Sequence, residues 1–121
     1  MSKRILVIED QEDNRRILRD LLKSAGYEVI EAVTGEEGVT MAEAHRPDLI
    51  LMDIQLPGLD GYEATRRIKA NSALRHIPIV AVTSYALSGD DIKALEAGCD
   101  AYIAKPFSPR ILLAKIREYL P

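Results

Sequence analysis

Four apolar runs in this sequence each give way to a residue able to do chemistry. Ile5-Leu6-Val7-Ile8 is followed by Glu9-Asp10, and Leu49-Ile50-Leu51-Met52 by Asp53. Ile77 to Val82 is followed by Thr83-Ser84, and Ala101 to Ala104 by Lys105-Pro106. If the runs are parallel strands of one sheet, these residues meet at its carboxyl edge, where open α/β sheets bind their ligands. Three carboxylates, a hydroxyl and an ammonium then converge. Crowded carboxylates need a cation, and all-oxygen ligation suits Mg²⁺, or Mn²⁺, rather than Zn²⁺. The lysine and the hydroxyl are then placed to hold an anion on the far side of the metal.

Taken singly, each residue has a plainer role. Glu9 and Asp10 favour the positive N-terminus of a following helix. Asp53 can open a turn towards Pro57-Gly58, Thr83 can be an ordinary strand residue, and Lys105 a solvated loop lysine. The combination is what argues for a site, because four independent run ends each carry a needed group.

The elements that must position these groups alternate two periods. The apolar runs, with the weaker Tyr27 to Ala32 among them and Ala101 to Ala104 as the poorer fifth, are too short for helices and suit strands buried on both faces. Pro78 stands near the start of its run, where a strand tolerates a missing N–H. Between the runs lie helical patterns. Ile17, Leu18, Leu21, Leu22 and Ala25 form an apolar stripe that Gly26 can end. Thr34-x-x-Glu37 has capping-box spacing, and Asp60-x-x-Glu63 and Ser88-x-x-Asp91 are similar starts. Ser108-Pro109 reads as an N-cap with proline at N1, ahead of a stripe of Leu112, Leu113, Ile116 and Leu120. The helix after Ser88 has the thinnest stripe, mainly Ile92 and Leu95, and is expected to be the least firmly packed.

Strand starts near Arg4, Glu28, Leu49, Ile77 and Asp100 are separated by 24, 21, 28 and 23 residues. Five consecutive βα units follow, which imply a three-layer α/β domain with right-handed crossovers. A length of 121 residues leaves room for one domain, read as 1–121. With 47% hydrophobic and 29% charged residues the composition is that of a globular protein. A net charge of −3 gives no general reason to bind nucleic acid or an anionic membrane. Apolar runs of four residues are far short of the ~20 that span a bilayer, and no apolar signal region follows Met1. The single cysteine, Cys99, cannot form an internal disulfide and reads as a small packing residue, and His45 and His76 read as solvated loop residues. A cytoplasmic setting is expected. Gly61 and Gly98 read as cap or turn residues.

Several segments together carry a family likeness. They are Ile8-Glu9-Asp10, Asp48 to Asp53 with Ile54-Gln55-Leu56-Pro57-Gly58-Leu59-Asp60-Gly61, Ile77-Pro78 through Thr83-Ser84, and Ala97-Gly98-Cys99-Asp100 through Lys105-Pro106-Phe107. Spacings of 43 residues from Asp10 to Asp53, 30 to Thr83 and 22 to Lys105 accompany them. Over its whole length the sequence resembles the receiver (CheY-like) domain of two-component response regulators, and within that family the stand-alone DivK-type regulators.

The resemblance implies a doubly wound, flavodoxin-like sheet of five parallel strands with five helices. It implies that Asp53 is the phosphoryl acceptor, attacking phosphorus on the phosphohistidine of a histidine kinase or a histidine phosphotransfer protein. Glu9, Asp10, Asp53 and the main-chain carbonyl of Gln55 would hold Mg²⁺, Glu9 through water. Thr83 would donate its hydroxyl to the phosphoryl group, the N–H of Ser84 would add a donor, and Lys105 would neutralise charge. Serine at 84 is a mild departure from the small residue usual in the family. Lys105-Pro106 resembles the family's cis peptide. Tyr102 is either the family's switch aromatic or a sheet-edge tyrosine with its hydroxyl in water. A downstream protein partner would read the face built from the fourth helix, the fifth strand and the fifth helix.

Two other classes fit less well. A haloacid-dehalogenase-type hydrolase also uses a strand-end aspartate, but it needs a second acid two residues on, where this chain has the amide Gln55. A flavodoxin-like flavin binder needs a Ser/Thr/Gly-rich phosphate loop where this chain has Glu9-Asp10. The expected function is a phosphorylation-controlled binding module whose only chemistry is its own aspartyl phosphorylation and dephosphorylation. The chain is either a stand-alone regulator, as Met1 suggests, or the receiver portion of a longer protein with an effector domain.

Overall fold

The computed structural model describes residues 2–83 and 90–121, with the side chains of Asp90 and Asp91 left aside. Strands and helices alternate as β1 (Arg4–Ile8), α1 (Glu12–Ser24), β2 (Glu28–Ala32), α2 (Gly35–His45), β3 (Leu49–Asp53), α3 (Gly61–Ala70), β4 (Ile79–Thr83), α4 (Asp90–Ala97), β5 (Ala101–Ala104) and α5 (Pro109–Tyr119). The strands form one parallel sheet in the order β2-β1-β3-β4-β5. The chain moves from β1 outward to β2, then returns past β1 to β3. The order therefore reverses between β1 and β3, and a crevice opens there at the carboxyl edge.

Burial follows position in the sheet. All of β3 and β4 and the last four residues of β1 are buried, as central strands covered on both faces must be. β5 at one edge alternates buried and exposed residues, and β2 at the other is mostly half-covered. One face packs Leu6, Ile8, Ile50, Met52, Ile79 and Ala81 against α2, α3 and α4 through Ala42, Ala64, Ile68 and Ala94. The opposite face packs Ile5, Val7, Leu49, Leu51 and Val80 against α1 and α5 through Leu18, Leu22, Leu112 and Ile116.

The caps form where the spacings place them. The Glu37 amide donates to Thr34 Oγ1 (3.0 Å), and the Glu37 carboxylate reaches back to the Val33 amide (3.1 Å). Asp60 accepts from the Glu63 amide and Ser108 from the Ile111 amide, with Pro109 opening α5. Gly26, just past α1, has φ +95°, which a side chain disfavours.

Four expectations need correction. β4 starts at Ile79, not Ile77; Pro78 stays outside the strand, yet its carbonyl accepts from the Ile50 amide. In α1 the buried pair is Leu18 and Leu22, while Ile17 and Ala25 at the margins of the stripe are exposed. In α4 the inward residues are Ala94 and Ala97, and Ile92 and Leu95 are 59% and 49% exposed. The small side chains let α4 lie close to its neighbours, which turns the larger aliphatics to the outside. His45 is the last residue of α2 rather than a loop residue; it is exposed, as is His76. The cap proposed at Ser88 lies outside the described residues.

Candidate functional site

The site begins with backbone. The Glu9 amide bonds to the Ala32 carbonyl (3.0 Å), which carries sheet-like pairing one residue past the end of β1. The chain then turns into α1, and the Gln11 amide folds back onto Glu9 Oε2 (3.1 Å). Asp53 is the final residue of β3, and its Oδ1 accepts from the Gln55 amide (3.0 Å) in the same kind of local turn. Both carboxylates are nearly out of solvent, Glu9 at 2% and Asp53 at 5% exposure, and Asp10 is half-buried beside them. One carboxylate oxygen from each of Glu9, Asp10 and Asp53 lies within 4.8 Å of the others. The cluster straddles β1 and β3, the two strands that bound the reversal in strand order.

Lys105 closes the cluster from the far side. Its amide bonds to the Thr83 carbonyl (2.7 Å), and the Lys105–Pro106 peptide is cis. The ammonium stands 3.3 Å from Glu9 Oε1 and 3.5 Å from Asp53 Oδ2. Three carboxylates against one ammonium leave an excess of negative charge in a mostly buried crevice. Burial, with the neighbouring Asp53 charge, raises the pKa of Glu9 above the ordinary 4.5, although the Gln11 amide and Lys105 pull the other way. A donor set made wholly of oxygen and short of positive charge fits a hard divalent cation.

Thr83 ends β4 and is fully buried, two strands from β1 and next to β3. Tyr102 lies on the edge strand β5 in register with Ala81, 37% exposed. Gln55 sits two residues past Asp53 in the loop to α3. The fold thus brings Glu9, Asp10, Asp53, Thr83 and Lys105 to one edge, while Ser84 lies outside the described residues.

Three supports escaped sequence reasoning. Arg15, one turn into α1, donates from Nη1 to the carbonyls of Glu9 (3.0 Å) and Asp10 (3.1 Å). Glu31 of β2 pairs with Arg15 Nε (3.4 Å) and accepts from Arg19. Their signals were an arginine near a helix N-terminus and a charge inside a strand. Gly61 opens α3, and a Cβ there would stand 2.5 Å from the Asp53 carbonyl oxygen and 2.7 Å from Ile54 Cα. It is a close-approach residue that lets α3 start directly over the end of β3. Cys99 is buried, 3.6 Å from the Thr65 hydroxyl, and burial pushes its thiol pKa up, as for a packing residue. Beside the cluster, a groove of about 490 Å³ opens between α1 and the segment after β5, lined by Asn14, Ile17, Leu18, Lys105, Pro106 and Phe107.

Comparison with known proteins agrees with this geometry. The pattern of the response regulator receiver domain matches residues 5–117. The chain is 46% identical over 120 residues to the polar-differentiation response regulator DivK of Brucella anthropi, covering 99% of this chain and 98% of that protein. The receiver domain of a sensor histidine kinase from Pseudomonas aeruginosa, with a magnesium ion coordinated in its active site cleft, superposes with a TM-score of 0.94. Its identity is 41%, over 99% of this chain and 98% of that one. The chemotaxis protein CheY4 of Vibrio cholerae superposes with a TM-score of 0.92 at 26% identity, over 98% and 99% of the two chains.

Proposed function

This chain belongs to the response regulator receiver family, a signalling module of two-component systems controlled by phosphorylation, and we propose that Asp53 is its phosphoryl acceptor. The observation that carries the assignment is the meeting of Glu9, Asp10 and Asp53 within 4.8 Å, with the Lys105 ammonium between Glu9 and Asp53. Residues 1–121 are read as one such domain.

Asp53 is the nucleophile. A carboxylate oxygen attacks the phosphorus of a phosphohistidine on a histidine kinase or phosphotransfer protein; the P–N bond breaks, a P–O bond forms, and an acyl phosphate results. Glu9, Asp10, Asp53 and the Gln55 carbonyl are the groups to hold Mg²⁺. When bound, the ion supplies charge neutralisation to the carboxylates and the phosphoryl oxygens. Lys105 supplies a second positive charge, and the Thr83 hydroxyl and the Ser84 amide are the donors for the remaining oxygens. The chemistry is performed by the chain on itself, without turnover of an external substrate.

The phosphodonor is read as docking over the groove beside Lys105, where Ile17 is 57% exposed and Phe107 and Pro106 extend the apolar surface. A downstream protein partner is read on the α4, β5 and α5 face, where Ile92, Leu95 and Tyr102 are exposed. Tyr102, on the edge strand, is read as the switch aromatic, coupled through Thr83.

Incubation with Mg²⁺ and acetyl phosphate tests the assignment. One hydroxylamine-labile phosphoryl group is expected by intact mass, and Asp53→Asn is expected to carry none, since an amide is a poor nucleophile. Full labelling of Asp53→Asn would overturn it.

A further inference from the structure

Resting on the metal reading above, we infer that Arg15 is a positioning residue for the cation site, acting through the backbone of the loop between β1 and α1. An arginine just inside a helix N-terminus is electrostatically misplaced, because that end favours acids such as Glu12 and Asp13. Its side chain is nevertheless held, at 15% exposure, and turned back towards the preceding loop. A single nitrogen, Nη1, bonds the carbonyls of both Glu9 and Asp10.

The topology shows what this does. Glu31 lies on β2 opposite Val7 and fixes the other edge of the guanidinium through Nε. β2 flanks β1 on the side away from β3, β4 and β5. Arg15 therefore draws the two carbonyls towards the β2 side, and the carboxylates of the same residues are left to gather with Asp53 on the β3 side. Three like charges do not converge unaided. Lys105 restrains Glu9 and Asp53 from one side by direct ion pairing, and Arg15 acts from the other by fixing the peptide units that carry Glu9 and Asp10.

The division of labour also keeps the site available. An arginine bonded to the carboxylates themselves would compete with a divalent cation for the same oxygens. The bonds described for Arg15 go to backbone carbonyls and Glu31. Its rigid planar fork serves two carbonyls and a carboxylate together, which the compact ammonium of lysine cannot reproduce in the same geometry.

Calorimetric titration with Mg²⁺ alone, beside melting temperatures in EDTA, tests this on the full chain. Outer-sphere partners of metal sites commonly control affinity by about 10–100-fold. Arg15→Met is expected to weaken Mg²⁺ binding by about 10-fold, Arg15→Lys by less, and Glu31→Gln by about 3-fold. Arg19→Met, which shares Glu31 without touching the loop, is expected to stay within about twofold of wild type. A merely structural arginine would lower the melting temperature in EDTA and leave Mg²⁺ affinity alone. Arg15→Met binding Mg²⁺ as wild type does, or Arg19→Met losing as much, overturns the positioning role. If Arg15→Met does not fold, wild-type affinity in both Arg15→Lys and Glu31→Gln overturns it equally. A wild-type protein that binds no Mg²⁺ overturns the metal reading itself, and this role with it.

Discussion

At the amino edge of the sheet Lys69 sits among groups that consume its charge, whereas at the carboxyl edge Lys105 faces more negative charge than it can neutralise. The Lys69 ammonium bonds the Ile77 carbonyl (2.8 Å), the Asp100 carboxylate (3.0 Å) and the Arg75 carbonyl (3.2 Å). Asp100 Oδ2 also accepts from the Ile79 amide at the start of β4, and Asp48 Oδ2 accepts from the Arg4 amide at the start of β1, each at 2.8 Å. Each of these acids closes a strand opening by accepting a backbone amide, and among the described residues neither belongs to a cluster of three carboxylates. At the other edge Glu9, Asp10 and Asp53 crowd one another around a single lysine. Charge at a strand end is therefore not itself a mark of function. Convergence of like charge, left for something else to neutralise, is.

The two edges are expected to respond to mutation with opposite sign. The largest effect belongs to the amino edge. Asp100→Ala leaves the Ile79 amide without its acceptor and takes from Lys69 its carboxylate partner, and should destabilise the fold by about 2–3 kcal/mol in urea melts, with or without Mg²⁺. Equal stability of that variant would erase the distinction between the edges.

Next in size, Asp10→Asn should stabilise the metal-free protein by about 1 kcal/mol, since it removes one of three crowded charges. The same variant should lose most of the stabilisation that added Mg²⁺ confers on wild type. A destabilised Asp10→Asn in EDTA would make this carboxylate a structural cap like Asp48.

The smallest effect is a slope with pH. Glu9 has a raised pKa in the fold, so the native state keeps its proton at pH values where the unfolded chain has released it. Its contribution to stability is full below 4.5 and is lost as pH rises through the raised value. Metal-free wild type should lose stability across that window, and Glu9→Gln should flatten the loss. Melts in EDTA at several pH values check it; an unchanged slope in the variant would assign the pH dependence elsewhere.

The strand β3 shows how far the sequence alone can carry such a distinction. Its apolar run is bracketed by two aspartates, Asp48 just before the strand and Asp53 as its last residue, identical in type and equally adjacent to the run. Only position relative to strand direction separates them, because carboxyl ends gather at the crevice and amino ends do not. That rule applies to the sequence once the runs are read as parallel, and it points to Glu9, Asp10, Asp53, Thr83 and Lys105. What it could not reach were contacts made across elements distant in sequence. Arg15 matters through two carbonyls, Glu31 through Arg15, and Gly61 through the space a Cβ would need, and none of these is a periodicity. The error in α4 has a related cause. Hydrophobicity ranks Ile92 and Leu95 above Ala94 and Ala97, but close helix packing rewards small volume, so the alanines face inward.

Those two alanines bear on how α4 opens. A helix anchored by leucines, as α1 is by Leu18 and Leu22, must expose large apolar area before its amide protons meet water. Ala94 and Ala97 offer little more than a methyl each, so lifting α4 exposes far less surface than lifting α1 or unfolding the sheet beneath. Hydrogen exchange along Ile92 to Ala97 should therefore run through local openings of low free energy, with β4 remaining protected to the global limit. In the currency of exchange, the helix that follows β4 is an inexpensive part of the molecule.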